Sequence, residues 1–123
     1  MNTTNQNNSC FQKRYKEVIK MNNLFEKNIE DLTLEEMEEI KEKFVVEFTN
    51  KLLQIAISKI EKLREGEIFF VRELFLGYIW NRIPINIRMR LGTQFFNEVN
   101  LNHKNEIEVL DKTKSGQQKY KKL

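Results

Sequence analysis

The chain has 123 residues, of which 40% are hydrophobic and 32% charged, and a net charge of +3. Its single cysteine, Cys10, and single histidine, His103, leave no internal disulfide, no Cys/His zinc cluster and no Ser-His-Asp set, and no glycine pattern of a phosphate loop occurs. No apolar run approaches the roughly 18 residues of a membrane span, and Met1–Ser9 lacks the basic and apolar regions of a secretory signal. The composition therefore points to a cytoplasmic, cofactor-free binding protein that is not an enzyme.

The charge is unevenly placed. Residues 1–30 carry +2, residues 31–66 carry −3 and residues 67–123 carry +4. The last twelve residues hold Lys112, Lys114, Lys119, Lys121 and Lys122 and no acid. A basic end of this kind suits phosphate, or serves only as a solvated tail.

Residues 1–10 are polar and of low complexity, which predicts a disordered tail. Phe11, Tyr15, Val18, Ile19, Phe25 and Ile29 then follow a weak helical period, giving a helix over 11–28 with an interruption at Asn22-Asn23. Thr33 and Glu36 form a capping box, with Leu32 and Met37 at the hydrophobic staple positions. From there Met37, Ile40, Phe44, Phe48, Leu52, Ile55, Ile60 and Leu63 predict one long helix over 33–64, closed by Gly66. Val45, Val46, Ala56 and Ile57 widen its apolar face. A small domain cannot cover such a helix, so a homodimer through the N-terminal helices is expected.

Beyond Gly66 the pattern changes. Ile68 to Val71 is β-branched and aromatic and reads as a strand. Residues 72–77 read as a short helix closed by Gly77, and residues 78–83 as an aromatic connector. Pro84 at the first helical position opens a helix over 84–100 with Ile87, Leu91, Phe95 and Val99 as its core line. Residues 106–112 and 117–122 read as a hairpin about the turn Thr113-Lys114-Ser115-Gly116, with 68–71 as a third strand. The expected fold class is α+β: a winged helix-turn-helix over 66–123, preceded by a helical region over 11–65.

The segment Phe70-Val71, Leu74-Phe75, Gly77, Trp80, Arg88, Leu91-Gly92, Phe95, Val99 and Gln117-Gln118-x-Tyr120 resembles small winged-helix proteins of low-GC Gram-positive bacteria and their phages and plasmids. The same organisation resembles the TcpK-type accessory DNA-binding proteins of conjugation relaxosomes. The resemblance implies a winged helix and, for some members, DNA binding.

On that reading Arg90, Thr93 and Asn97, on the polar face of the 84–100 helix, meet the major groove, where Arg suits guanine and Asn suits adenine. Lys112, Lys114, Ser115, Gln117, Gln118, Lys119 and Tyr120 on the hairpin hold phosphates. The same residues also suit an ordinary wet helix face and an edge hairpin guarded by lysines. Trp80, Phe69, Phe70, Phe75, Phe95 and Phe96 read as core, Arg88 as a side chain lying close to the core line, and His103 as a surface loop residue. The leading expectation is a non-enzymatic protein that binds double-stranded DNA for a mobile element, as a plasmid-transfer accessory factor or a phage or plasmid regulator, with a relaxase or similar protein as a further partner. The alternative is a protein–protein module or inhibitor acting through acidic Glu38, Glu39 and Glu42.

Overall fold

The computed structural model of the chain describes residues 15–123. The expected disordered tail with Cys10, and the start of the first helix, lie outside those residues. Within them residues 15–26 form α1, which runs through Asn22-Asn23 without interruption. Its C-terminal end is held by Lys51, whose Nζ donates to the Phe25 carbonyl and, at 3.0 Å, to the Lys27 carbonyl. A 3-10 turn, Ile29–Asp31, follows.

The expected single helix over 33–64 is two helices, α2 (Leu34–Lys43) and α3 (Val45–Lys59), with a 3-10 turn at Ile60–Lys62. The capping box is present: Thr33 Oγ1 accepts from Glu36 N–H at 3.1 Å, and Glu36 Oε1 accepts from Thr33 N–H at 3.0 Å. The break falls at Phe44, with φ −127° and ψ 36°, where the sequence holds neither Gly nor Pro. Two β-branched residues, Val45 and Val46, start α3 and lower local helix propensity. Thr49 Oγ1 donates back to the Val45 carbonyl at 2.6 Å, a bond that bends helices. The bend lets Ile40 of α2 and Phe48 of α3 enter one core, both with no exposed surface.

Gly66 sits in a turn at φ 86°, a conformation open to glycine, rather than capping a helix directly. Strand β1 is only Ile68–Phe69, and Val71–Leu74 is a 3-10 turn. Gly77 does not close a helix. It opens α4 (Gly77–Arg82), so the expected connector is helical. Tyr78 Oη donates to Glu30 Oε2 at 2.9 Å and an Arg82 N–H to the Glu30 carbonyl at 3.0 Å, which fixes α4 against the 29–31 turn. Pro84 is the N-cap of α5 (Ile85–Asn102), one position earlier than expected. Ile87, Leu91, Phe95 and Val99 are fully buried, as their four-residue spacing requires.

Strands β2 (Ile107–Lys112) and β3 (Gln118–Lys122) form the expected hairpin, and β1 adds to it in the order β1-β3-β2, all antiparallel. The turn uses Gly116 at φ 89°, and Thr113 Oγ1 accepts from Gln117 N–H at 3.1 Å. His103 is the C-cap of α5 rather than a loose loop residue. Its side chain is 18% exposed, between Glu98 and Glu106, each 3.5 Å away.

One hydrophobic cluster runs from Leu24 to Tyr120, and α3 packs on α5. The helical region and the segment after Gly66 thus share a core. Part of the apolar face behind the expected homodimer through the N-terminal helices is thus covered within the chain, while Val45, Ile55 and Ile57 are only partly buried. Phe44, Phe48 and Leu52 are buried within the chain, and Phe25 of α1 packs at 6.4 Å on Phe44 and 5.8 Å on Phe48. Val46 alone of that face stays markedly open. Among the described residues no helix is long and apolar enough to cross a membrane.

Candidate functional site: a cationic groove between a helix and a hairpin

Packing α5 under the hairpin leaves a groove of about 630 Å³. Helix α5 contributes Arg88, Met89, Gly92, Thr93 and Phe96, and the hairpin contributes Lys112, Gly116, Gln117, Gln118 and Tyr120. Phe70, Val71, Arg72 and Trp80 close its third side, and no acidic residue lines it among the described residues.

Each wall is held by identifiable contacts. Arg88 Nε donates to the Ile83 carbonyl at 2.6 Å and one of its terminal amines to the Asn81 carbonyl at 2.9 Å. Its guanidinium lies 5.7 Å from the Trp80 ring centre. These bonds satisfy carbonyls around the end of α4 and fix the start of α5. Arg72 lies 5.0 Å over Phe70 and lines the groove beside it. On the hairpin, the register slips between Val109 and Lys112, and the Gln118 side-chain amide donates to the Leu110 carbonyl in the bulge. Gln118 thus holds the bulge that sets the tip of the hairpin.

The residues singled out from the sequence fall into distinct places. Thr93, Lys112, Gln117 and Gln118 line the groove. Arg90 and Asn97 are exposed on the adjoining face of α5. Lys114 and Ser115 are exposed at the turn, where Ser115 Oγ meets Thr113 Oγ1 at 3.0 Å. Lys119 lies on the face of β3 opposite Tyr120, because side chains alternate along a strand.

Tyr120 is corrected. Its side chain is 1% exposed and is part of the core, 5.7 Å from Phe69 in a stack and 5.0 Å from Phe95 edge to face. Burial pushes its hydroxyl up to about 12. It supports the hairpin from beneath and belongs to the floor of the groove rather than to an open stacking face.

The assignment of all six aromatics to the core also needs correction. Phe69, Phe75 and Phe95 are buried, but Phe70 and Trp80 are only partly so, and Phe96 is 37% exposed. The helical wheel holds this signal. Phe95 and Phe96 are 100° apart, so only one can follow the Ile87 line, and Phe96 instead follows Met89 and Gly92. Of the hairpin cations, Lys121 stands opposite Glu108 in the register, whereas Lys112, Lys114 and Lys119 make no ion pair among the described residues.

In the acidic region, Glu36 pairs with Lys27 at 2.7 Å, which with the Thr33 N–H holds its carboxyl below the usual range. Glu39 lies 2.5 Å from Lys20 and 3.7 Å from Lys43. Glu35, Glu38 and Glu42 remain exposed. Among the described residues no group of His, Cys, Asp and Glu could hold a metal ion.

Fold and site together define an α+β protein with a groove between one helix and one hairpin that no acid lines among the described residues. The chain belongs to the family described as a domain of unknown function, DUF1413, which matches residues 54–122 and so takes in α5, the whole sheet and every wall of the groove. The match begins inside α3, in keeping with the shared core. No curated protein and no solved structure matches the chain.

Proposed function

We propose that the protein is a non-enzymatic double-stranded-DNA-binding protein built as a winged helix-turn-helix, in which α5 enters the major groove and the β2–β3 hairpin is the wing. The reading is supported by the order α3, β1, α4, α5, β2, β3 together with the strand order β1-β3-β2. That order places a short strand beside the returning arm of the hairpin and leaves one face of α5 uncovered next to it. The single observation that carries it is the juxtaposition of exposed Arg90, Thr93 and Asn97 on α5 with Lys112 and Lys114 of the hairpin, which make no ion pair among the described residues. The lysines meet phosphates, and Arg90 and Asn97 meet base edges. Ser115 and Gln117 add hydrogen bonds to the backbone, while Gln118 keeps the wing in shape.

The competing protein-inhibitor reading rests on an acidic helix, and the ion pairs of Glu36 and Glu39 neutralise part of that face. A role in a mobile element, with a relaxase or a similar protein as partner, fits the resemblance given above.

The test is a fluorescence-anisotropy titration of labelled random duplexes of about 30 base pairs at several salt concentrations. If Lys112, Lys114 and Lys119 each neutralise one phosphate, the slope of log K on log salt is about −2.7, at about −0.9 per phosphate. A slope that steep or steeper supports the reading, and binding that ignores salt, or no binding at low salt, refutes it.

A further inference from the structure

The groove has features that phosphate contact alone does not require. Its volume of about 630 Å³ falls within the range of small-molecule sites, which are mostly apolar with a few placed polar groups. Met89, 70% exposed, and Phe96 form an apolar ridge on α5, and Val71 and Phe70 face them from the other side. Arg72 and Lys112 both line it, and among the described residues no acid does. Trp80 does not offer a free stacking face, since Phe75 lies 5.8 Å from it and Arg88 5.7 Å. An occupant therefore needs an apolar body and at least one negative charge, rather than a bare base or a bare phosphate.

We propose that this groove binds a small amphipathic anion, an aromatic or aliphatic body carrying a carboxylate or sulfonate-like group, and that the bound anion excludes DNA. The apolar body packs on Met89, Phe96 and Val71, and the anion pairs with Arg72 and Lys112. Thr93, Lys112 and Gln117 belong both to this groove and to the proposed DNA face, so one occupant displaces the other. The exclusion rests on the DNA-binding reading; the anion site does not. Gly92 is the opening that makes room: a Cβ added there meets no heavy atom within 4 Å.

The probe is 8-anilinonaphthalene-1-sulfonate, compared with N-phenyl-1-naphthylamine, which has the same rings and no charge. Both are titrated by fluorescence against the full chain at low salt. The expected result is one saturable site, with the anionic probe bound at least tenfold more tightly than the neutral one. Gly92→Leu, which fills the groove, and Met89→Glu, which puts an acid on its rim, each weaken the anionic probe at least tenfold. Lys112→Gln weakens the anionic probe several-fold and leaves the neutral probe unchanged, and Glu38→Gln changes neither. Far-UV circular dichroism identifies any variant that has lost its fold. Equal binding of the two probes, or undiminished binding by folded Gly92→Leu and Met89→Glu, overturns the site.

In the second arm the anionic probe is added to a labelled duplex already bound to the protein. Displacement from the wild type but not from Gly92→Leu supports exclusion. Retention of the duplex while the probe fills its site overturns it. If the wild type binds no duplex at all, the DNA-binding reading and the exclusion both fall, and the first arm still decides the groove by itself.

Discussion

The ring of Tyr120 on β3 stacks on that of Phe69 on β1, with centroids 5.7 Å apart and planes 26° from parallel. The two residues are direct partners in the antiparallel register, and Phe95 of α5 closes on Tyr120 from the side. This cluster joins the short third strand, the hairpin and α5, so it sets the height of the hairpin over the groove. Tyr120→Ala is expected to cost about 3–5 kcal/mol, the range for removing a large buried aromatic, measured by urea denaturation.

The buried hydroxyl gives the same residue a pH signature. Its folded value is raised to about 12 from the ordinary 10.0, so the neutral form is favoured in the fold. The associated stability is fully present below pH 10 and is lost as pH rises toward 12. Thermal midpoints measured across that window should fall in the wild type, and Tyr120→Phe should reduce this fall.

How far the sequence carries the fold depends on whether a local signal was opposed. The line Ile87, Leu91, Phe95, Val99 sat in a helix with no competing demand, and the structure buries all four. The Thr33–Glu36 box and the Gly116 turn were equally legible, because cap and turn chemistry are local. The break at Phe44 was not. An unbroken apolar period favours continuation, and only the need to fold α2 back onto α1 and α3 overrides it. Gly77 misled in a similar way, since a glycine suits the start of α4 once Leu76 is extended. At the candidate site, the cations and polar face were visible as residue types. The aromatic walls were not, because Phe70 and Trp80 face a space that exists only after the hairpin has packed on α5.

Thr33→Ala should lower stability by about 0.5–2 kcal/mol, since it removes the side-chain acceptor of the Glu36 amide. Chemical denaturation with an unchanged m-value would assign the loss to the cap rather than to a change in the denatured state.

Gly92→Ala should stabilise the chain by up to about 1 kcal/mol, the helix-propensity difference between the two residues. The added methyl enters open space, so no clash opposes the gain. A rise in the denaturation midpoint is the expected result, and a fall would mean that the groove wall is tighter than the structure shows.

Arg90→Ala distinguishes base reading from charge. On a duplex selected from a random library by the wild type, the change should cost about 1–3 kcal/mol, and on unselected duplex much less. Asn97→Ala should follow the same pattern. Losses equal on both duplexes would make these two residues phosphate contacts.

The most direct test of the central claim is the salt dependence of duplex binding by Lys114→Ala beside the wild type. Lys114 is exposed at the hairpin tip and makes no ion pair among the described residues, so its removal is expected to leave the fold unchanged. If the hairpin is a wing on the phosphate backbone, the slope of log K on log salt becomes shallower by about 1, alike on selected and random duplexes. An unchanged slope and affinity in Lys114→Ala, Lys112→Ala and Lys119→Ala would contradict the assignment of this hairpin as the DNA-binding end.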